Sequence, residues 1–315
     1  MNMARISLEY LPDGVAVEGQ ACILGVITLS GTADSDLSVG LTPLKTQSGV
    51  REVWRAEKPV HRRTTHQDMQ LAETDGLVFG MMRQVLPENR TEEATKAAYD
   101  AMLNVIDEAD CPHLIRISNY IPDITGIENG QERYRAFNAG RQAAFAGRSR
   151  TSQHAPAACG LGCQGDALRL FFLAAKEPGR NIENPRQVSA FNYPKQYSQK
   201  APLFARATLA AGMLLISGTS SIVGYETVHV GNVAAQADET LRNIDALLGE
   251  AAKMGATVTR QDLRLKVYLR HVHDVPIAEE RIRAAGFNAP VAWLQSNICR
   301  PELDIEIEAH AHDRV

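Results

Sequence analysis

"NVAAQADETLRNIDALLGEAAKMGA" (residues 232–256) is followed closely by "LRLKVYLRH" (residues 263–271). In the first stretch Val233, Ala237, Leu241, Ile244, Leu248 and Ala251 recur at three- and four-residue spacing, the period of a helix with one buried face. Gly255 is placed to stop it. In the second stretch Leu263, Leu265, Val267 and Leu269 alternate with Arg264, Lys266, Tyr268 and Arg270, the period of a strand. The flanks extend the pattern. "ARATLAAGMLLISGTSS" predicts two strands, 205–209 and 213–217, turned at Gly212. "IAEERIRAAG" predicts a second helix ended by Gly286, and "VAWLQSNIC" and "LDIEIEAHA" predict the last two strands. The order is β-β-α-β-α-β-β.

The first half repeats this order more loosely. "DGLVFGMM" (75–82) stands for "GMLLISG", "TEEATKAAYDAMLNVIDEA" (91–109) for the first helix and "HLIRISNYI" (113–121) for "LRLKVYLRH". "ERYRAFNAGRQAAF" (132–145) stands for the second helix, and "PAACGLGCQGDALRLFFLAA" (156–175) for the closing strands. Internal repetition predicts architecture. It divides the chain into an N-terminal extension (1–69), a first unit (70–175), a linker (176–199) and a second unit (200–315).

Composition sets the bounds. The chain has 315 residues, 44% hydrophobic and 22% charged, with a formal net charge of −4. That is enough chain for a sizeable core, and its bulk charge draws neither nucleic acid nor an anionic membrane. No apolar run approaches the roughly 18–20 residues of a membrane span. The N-terminal stretch lacks a signal peptide's apolar core, so a cytoplasmic location is expected. An odd number of cysteines, Cys22, Cys111, Cys159, Cys163 and Cys299, predicts free thiols. Cys159 and Cys163 lack a second Cys/His pair, so no metal is expected. His310 and His312 are expected at the surface. "GLGCQG" (160–165) matches a dinucleotide fingerprint, but a strand follows where a helix is required, so the glycines read as a turn.

Near the end, Asp304, Glu306 and Glu308 alternate with Ile305, Ile307 and Ala309. Three carboxylates on one strand face form either a solvated surface or a pocket holding a protonated acid. Alignment of the closing strands sets Leu170 opposite Glu306 and Phe172 opposite Glu308. One copy is acidic and the other apolar, which favours one specialised site per chain.

Several ordered blocks carry a family resemblance. "LLISGTSS", the 232–256 helix, "LKVYLR" and "DIEIEAHA" resemble the reactive-intermediate deaminase fold, whose members form trimers with sites at subunit clefts. The chain from about residue 75 onward resembles the chorismatases, which are built from such units. The blocks are "HLIRISNYIPDI", "ERYRAFNAGR", "YPKQYSQKAPLFARA", "SGTSSIVGYETVHVG", "LRLKVYLRH" and "LQSNICRPELDIEIEA". The resemblance implies an α/β (α+β) fold of two RidA/YjgF-like β-β-α-β-α-β-β units plus an N-terminal extension. It also implies cofactor-free cleavage of chorismate to pyruvate and a ring acid. Branches of that family release 3-hydroxybenzoate, 4-hydroxybenzoate-containing mixtures or a dihydroxycyclohexadiene carboxylate. The chain is expected as a monomer with a pseudo-oligomeric repeat or as a homo-oligomer.

The chemistry narrows the candidates. Protonating the enol's terminal carbon needs an acid still neutral near pH 7, whereas an ordinary Glu ionises at about 4.3. Glu306 matches the family's acid by resemblance, with Asp304 and Glu308 as like-charged neighbours that disfavour its ionisation. Arg206 and Arg270 are candidates to hold the substrate's carboxylates. Arg270 shares a strand face with Lys266 and Tyr268, read as a polar cleft wall. Lys266 and Arg300 are further candidates, or else partners of nearby acids. Tyr193 and Tyr197 either close over the ring or pack the linker. Cys299, placed on the strand before the acid, resembles a marker of the 3-hydroxybenzoate branch, where it would guide collapse of an arene oxide. Ser220 stands where a Gly or Ala is expected among the branches. Two rival readings are an imine or enamine deaminase and a non-catalytic ligand-binding protein. The first needs an Arg where this chain has Ala292 or Trp293.

Overall fold

The computed structural model describes residues 4–30, 38–45, 49–66, 68–194, 200–288 and 290–313. Four strands come first: β1 (Ile6–Pro12), β2 (Ile23–Ser30), β3 (Ser38–Pro43) and β4 (Val50–Ala56). The first unit follows as β5 (Arg62–His66), β6 (Met69–Thr74), β7 (Leu77–Val85), α1 (Thr91–Glu108), β8 (His113–Pro122), the short pair β9 (Ile127–Glu128) and β10 (Gln131–Glu132), α2 (Arg133–Ala146), β11 (Ala157–Cys163) and β12 (Ala167–Ala175). The second unit runs β13 (Arg180–Ile182), β14 (Ala207–Ala210), β15 (Met213–Ser220), the short pair β16 (Ile222–Val223) and β17 (Glu226–Thr227), α3 (Val233–Lys253), β18 (Arg264–Leu269), α4 (Val275–Ala284), β19 (Val291–Gln295) and β20 (Ile305–His312).

The repeat is visible in strand order. The first sheet reads β11-β8-β12-β7-β6-β5, and the second contains β19-β18-β20-β15-β14-β13, which matches it place by place. Within each unit the parallel pair, β11 with β8 and β19 with β18, is bridged by a helix, as is usual for a parallel crossover. The four N-terminal strands continue the second sheet in the order β1-β4-β2-β3, with β3 docking antiparallel on β19, so that sheet has ten strands.

Two-residue periodicity decides the layering. Leu265 and Val267 of β18 and Ile305 and Ile307 of β20 face α3 and α4, together with Leu241, Ile244 and Leu247. Leu170 and Phe172 of β12 face α1 and α2, together with Tyr99, Met102 and Phe137. The opposite faces meet between the sheets, where Phe79, Tyr120, Phe171, Leu173, Leu215 and Tyr268 form the central core. Tyr99, Met102, Leu103 and Ile106 of α1 are fully enclosed, each worth about 2 kcal/mol of apolar burial. Helices α1 and α2 touch at Gly140, where a Cβ would stand 2.2 Å from the Glu92 carbonyl.

Several expectations need correction. The face partition shows that Leu170 and Phe172 point toward the helices, whereas Glu306 and Glu308 lie on the opposite face from Ile305 and Ile307, toward the facing sheet. Phe171 and Leu173 are therefore the residues of β12 on the corresponding face. The sequence alignment was one residue out of register, because an apolar strand buried on both faces carries no alternation to align on. Gly160 and Gly162 lie within β11; only Gly165, at φ +93°, sits in the turn. Their missing side chains admit Tyr134 and Asn297. His310 is buried, bonded to the Tyr10 hydroxyl at 3.2 Å, and held neutral by burial and by Lys266, with its pKa near 3. Among the described residues no helix is long and apolar enough to cross a membrane.

Candidate active site

A cavity of about 330 Å³ lies where the two units meet. The first unit supplies Glu132, Tyr134, Arg135 and Asn138 from the start of α2. The second supplies Arg206, Gly218 and Ser220, the loop Cys299–Leu303, and Glu306. Tyr193, from the linker, and Phe204, from the start of the second unit, close the remaining wall.

Local backbone geometry sets the acid in place. β15 and β20 pair antiparallel, with a register shift between Ile216 and Thr219. Gly218 sits in that shift, and a Cβ there would lie 2.0 Å from Oε1 of Glu306. The carboxyl thus occupies space that only glycine leaves open. Ser220 is directly opposite Glu306 in the ladder, which places both on one face, and Ser220 Oγ donates to Glu306 Oε2 at 3.3 Å.

Glu306 and Glu308 share a face but have opposite fates. Burial, reinforced by the charge of Glu308, raises the Glu306 pKa from 4.5 to about 8 against the smaller opposing effects of Ser220 and Arg116. Burial also disfavours the Glu308 anion, but Lys266 and Arg116 overcome it and hold its pKa at about 2. Arg116 Nη2 donates to Glu308, Lys266 Nζ lies 3.0 Å from Glu308 and 2.8 Å from Glu52, and the Tyr268 hydroxyl donates to Glu308 at 2.8 Å. Two acids and two bases thus neutralise one another between the sheets. One carboxylate is satisfied as an anion while its neighbour is left neutral, the separation that assigns an acid role. Asp304 takes no part; it precedes β20 and meets Gln236 of α3.

The fold brings Glu306, Cys299, Ser220, Arg206, Tyr193 and Arg300 together around the cavity. Arg206 is buried; its Nη2 donates to the Val188 carbonyl and the Tyr193 hydroxyl, both at 2.8 Å, and its guanidinium lies 5.0 Å from the Phe204 ring centre. Arg300 lies over the Tyr193 ring and donates to the Tyr225 carbonyl at 2.9 Å. Cys299 lies beyond the end of β19, in a loop and not on a strand, and burial pushes its thiol up to about 12.

Two expected residues stand elsewhere. Arg270 does not line the cavity: it follows β18 and spends its guanidinium on Leu303 O (3.0 Å), Asn297 Oδ1 (3.0 Å), Ile298 O (3.3 Å) and Arg300 O (2.9 Å). It braces the loop that carries Cys299 and Arg300. Lys266 is sealed in the ion cluster between the sheets, because its strand face meets another sheet and not a cleft. Tyr197 lies outside the described residues.

The wall formed by Tyr134, Arg135 and Asn138 went unread in the sequence. Its one signal was "AFNAGR", where Asn138 and Arg141 interrupt an apolar stripe; both are buried.

The comparisons with known proteins agree in kind. Residues 52–174 match a family model described as chorismatase FkbO/Hyg5-like, N-terminal. A 3-hydroxybenzoate synthase of Streptomyces hygroscopicus is 37% identical over 74% of this chain and 74% of its own length. A chorismatase of Streptomyces rapamycinicus is 34% identical over 93% of both chains. A chorismatase crystal structure superposes with a TM-score of 0.90 at 29% identity, covering 99% of each chain.

Proposed function

The chain belongs to the chorismatase family, and on that premise we propose that it cleaves the enol ether of chorismate to pyruvate and a hydroxybenzoate, with Glu306 as proton donor. The observation that carries this reading is a carboxyl group, raised to about 8, in a cavity also lined by Arg135, Arg206 and Arg300. At neutral pH it is a neutral acid, the protonation state that general-acid catalysis needs.

Chorismate brings two carboxylates and an enolpyruvyl ether. Arg206 is the best placed to orient a carboxylate: it is buried, fixed at one end by Val188 and Tyr193, and its Nε makes no hydrogen bond among the described residues. With the dianion held, Glu306 delivers its proton to the terminal methylene carbon, which becomes a methyl group. Positive charge then develops on the ether oxygen and the adjacent carbon. The bond between the ring carbon and that oxygen breaks, and pyruvate leaves with the oxygen as its ketone.

We infer that the ring acid is 3-hydroxybenzoate. The supports are the 37%-identical relative that bears that name and the presence of Cys299 in the cavity wall. The neighbouring ring hydroxyl attacks the carbon that the ether oxygen leaves, and its proton returns to the Glu306 carboxylate. The resulting arene oxide opens, its oxygen takes up one proton and the ring carbon loses one, so that the aromatic hydroxybenzoate is an isomer of the oxide. The atoms of chorismate equal those of pyruvate plus hydroxybenzoate, so no water or oxidant is consumed. Cys299, with its pKa near 12, acts as a neutral thiol at the opening step and not as a nucleophile.

We assign residues 200–315 as the catalytic unit and 70–175 as the unit that supplies the wall from α2. Residues 176–199 link them, contribute Tyr193 and add β13 to the edge of the catalytic unit's sheet, and residues 1–69 are the extension, whose last strand, β5, edges the first unit's sheet.

The test is incubation of the purified protein with chorismate alone, with pyruvate measured enzymatically and the ring acid identified by chromatography. Pyruvate and 3-hydroxybenzoate are expected in equal amounts. Glu306→Gln should release no pyruvate while its circular dichroism stays native. No pyruvate from the wild type, or near-normal turnover in the variant, overturns the reading.

A further inference from the structure

Helix α3 carries a second stripe besides its apolar one. Gln236, Glu239, Thr240 and Asn243 recur at helical spacing, and all four are buried. A buried amide costs free energy unless its hydrogen bonds are met. Asn243 uses both hydrogens of its amide and its oxygen. Its Nδ2 donates to the carbonyls of Ser220 (3.0 Å) and Ile222 (2.9 Å), and its Oδ1 accepts from Arg186 Nη1 at 3.2 Å. Carbonyls only accept and a guanidinium only donates, so one orientation of the amide satisfies all three partners. Arg186 is fixed in turn, because its Nη2 donates to the buried carboxylate of Glu239, which Arg242 and His229 also meet.

Those two carbonyls lie where β15 has lost a neighbour. Its ladder with β14 stops at Ile216, while its pairing with β20 continues to Ser220. The Asn243 amide takes the place of the missing strand and ties together the carbonyls on either side of Ser221. Ser220 and Ile222 both line the cavity, and Ser220 Oγ donates to Glu306 Oε2 at 3.3 Å. Every link from Glu239 through Arg186, Asn243 and Ser220 to Glu306 is therefore a hydrogen bond or a covalent one.

The first unit supplies a comparison. Helices α1 and α3 end alike. Cys111 N donates to the Ile106 carbonyl across Asp110, and Ala256 N donates to the Ala251 carbonyl across Gly255, each across a residue at positive φ. Counting back from these ends sets Ala98 at the position of Asn243 and Ala94 at that of Glu239. The amide and the carboxylate behind it occur in the copy that carries the acid and are alanines in the copy that lacks it.

We propose that Asn243 is a positioning residue: by tying the carbonyls of Ser220 and Ile222 together it fixes the end of β15 and so holds the Ser220 hydroxyl on the Glu306 carboxyl. This rests on the reading that Glu306 is the proton donor. Without the amide, the end of β15 is free to shift and the Ser220 hydroxyl leaves the acid.

The experiment is the pH profile of kcat/KM for pyruvate release by the wild type, Asn243→Leu, Ser220→Ala and the double variant, with thermal melts alongside. A hydrogen bond from Ser220 favours the Glu306 anion. Asn243→Leu should therefore move the midpoint up by about half a pH unit, in the same direction as Ser220→Ala. In the Ser220→Ala background it should move the midpoint by less than about 0.2 unit, because both changes act through one bond. The titratable groups around Glu306 are Glu308 on its own strand, Arg116 on β8, Glu132, Tyr134 and Arg135 from the first unit, Tyr193 and Arg206, and Cys299, Arg300 and Glu302 in the loop. They are the same in all four proteins and cancel in the comparison. A merely structural Asn243 would lower the melting temperature and leave the midpoint in place. Asn243→Ser, whose hydroxyl has one hydrogen for two carbonyls, should move the midpoint the same way and serves if Asn243→Leu does not fold. A midpoint that stays in place, or that moves equally in both backgrounds, overturns the proposal while a wild-type midpoint near 8 stands. A wild type without that midpoint removes the reading of Glu306 as proton donor, and this proposal with it.

Discussion

Raising the pH should switch the reaction off with a midpoint near 8. The perturbation is the proton on Glu306, whose pKa moves from 4.5 to about 8, chiefly by burial and next by the charge of Glu308. That difference corresponds to about 5 kcal/mol of preference for the neutral acid. With a pKa of about 8, the acid is about nine-tenths protonated at pH 7 and about one-tenth at pH 9. An unburied glutamate would be protonated in only about 0.3% of molecules at pH 7. The assay is kcat/KM for pyruvate release from roughly pH 6 to pH 10, which reports the free enzyme's essential acid. Two variants check the assignment by sign. Ser220→Ala removes a hydrogen bond that lowers the pKa, so the midpoint should move up; Glu308→Gln removes a negative charge that raises it, so the midpoint should move down. A profile that is flat across the range, or a rate that climbs with pH, would refute the protonated-acid reasoning.

Other outcomes follow from the same geometry. Cys299→Ala should change the ratio of ring acids more than the rate, read by chromatography of the products; an unchanged product mixture returns Cys299 to a packing role. Arg116→Met strips one cation from the enclosed Glu308 anion. It should cost about 3 kcal/mol or more, read as a lower urea midpoint, since a broken buried pair leaves a charge uncompensated. The two glutamates also give the stability curve opposite slopes. Glu306, with its pKa raised in the fold, contributes stability below pH 4.5 that is lost as the pH climbs to about 8. Glu308, with its pKa depressed, contributes above pH 4.5 and loses that contribution as the pH falls toward 2. Urea midpoints for wild type and Glu306→Gln should converge below about pH 4.5, separate progressively as the pH rises to about 8, and stay apart above it.

The helix and strand order was legible in the sequence because one-sided burial imprints a period. α3 shows a 3.6-residue period, β18 and β20 a two-residue one, and the glycines at 212, 255 and 286, each at positive φ, mark the stops. The repeat was legible for the same reason, and so was the contrast between an acidic closing strand in one copy and an apolar one in the other. The register of β12 was not, because both its faces are buried.

What the sequence by itself determined is therefore the elements, their duplication and the presence of an acid in one copy. Only the tertiary structure decided which polar side chains meet. Lys266 and Arg270 have the strand spacing expected of a cleft wall, yet one is enclosed between two sheets and the other is consumed by a loop. Tyr134, Asn138 and Arg141 belong to a helix more than 150 residues from Glu306, yet the same cavity joins Tyr134 and Asn138 to it. Spacing along a chain reports which face of its own element a side chain occupies. What stands opposite that face, whether water, a sheet or an acid, depends on how the two units dock, and that contact leaves no period in the sequence.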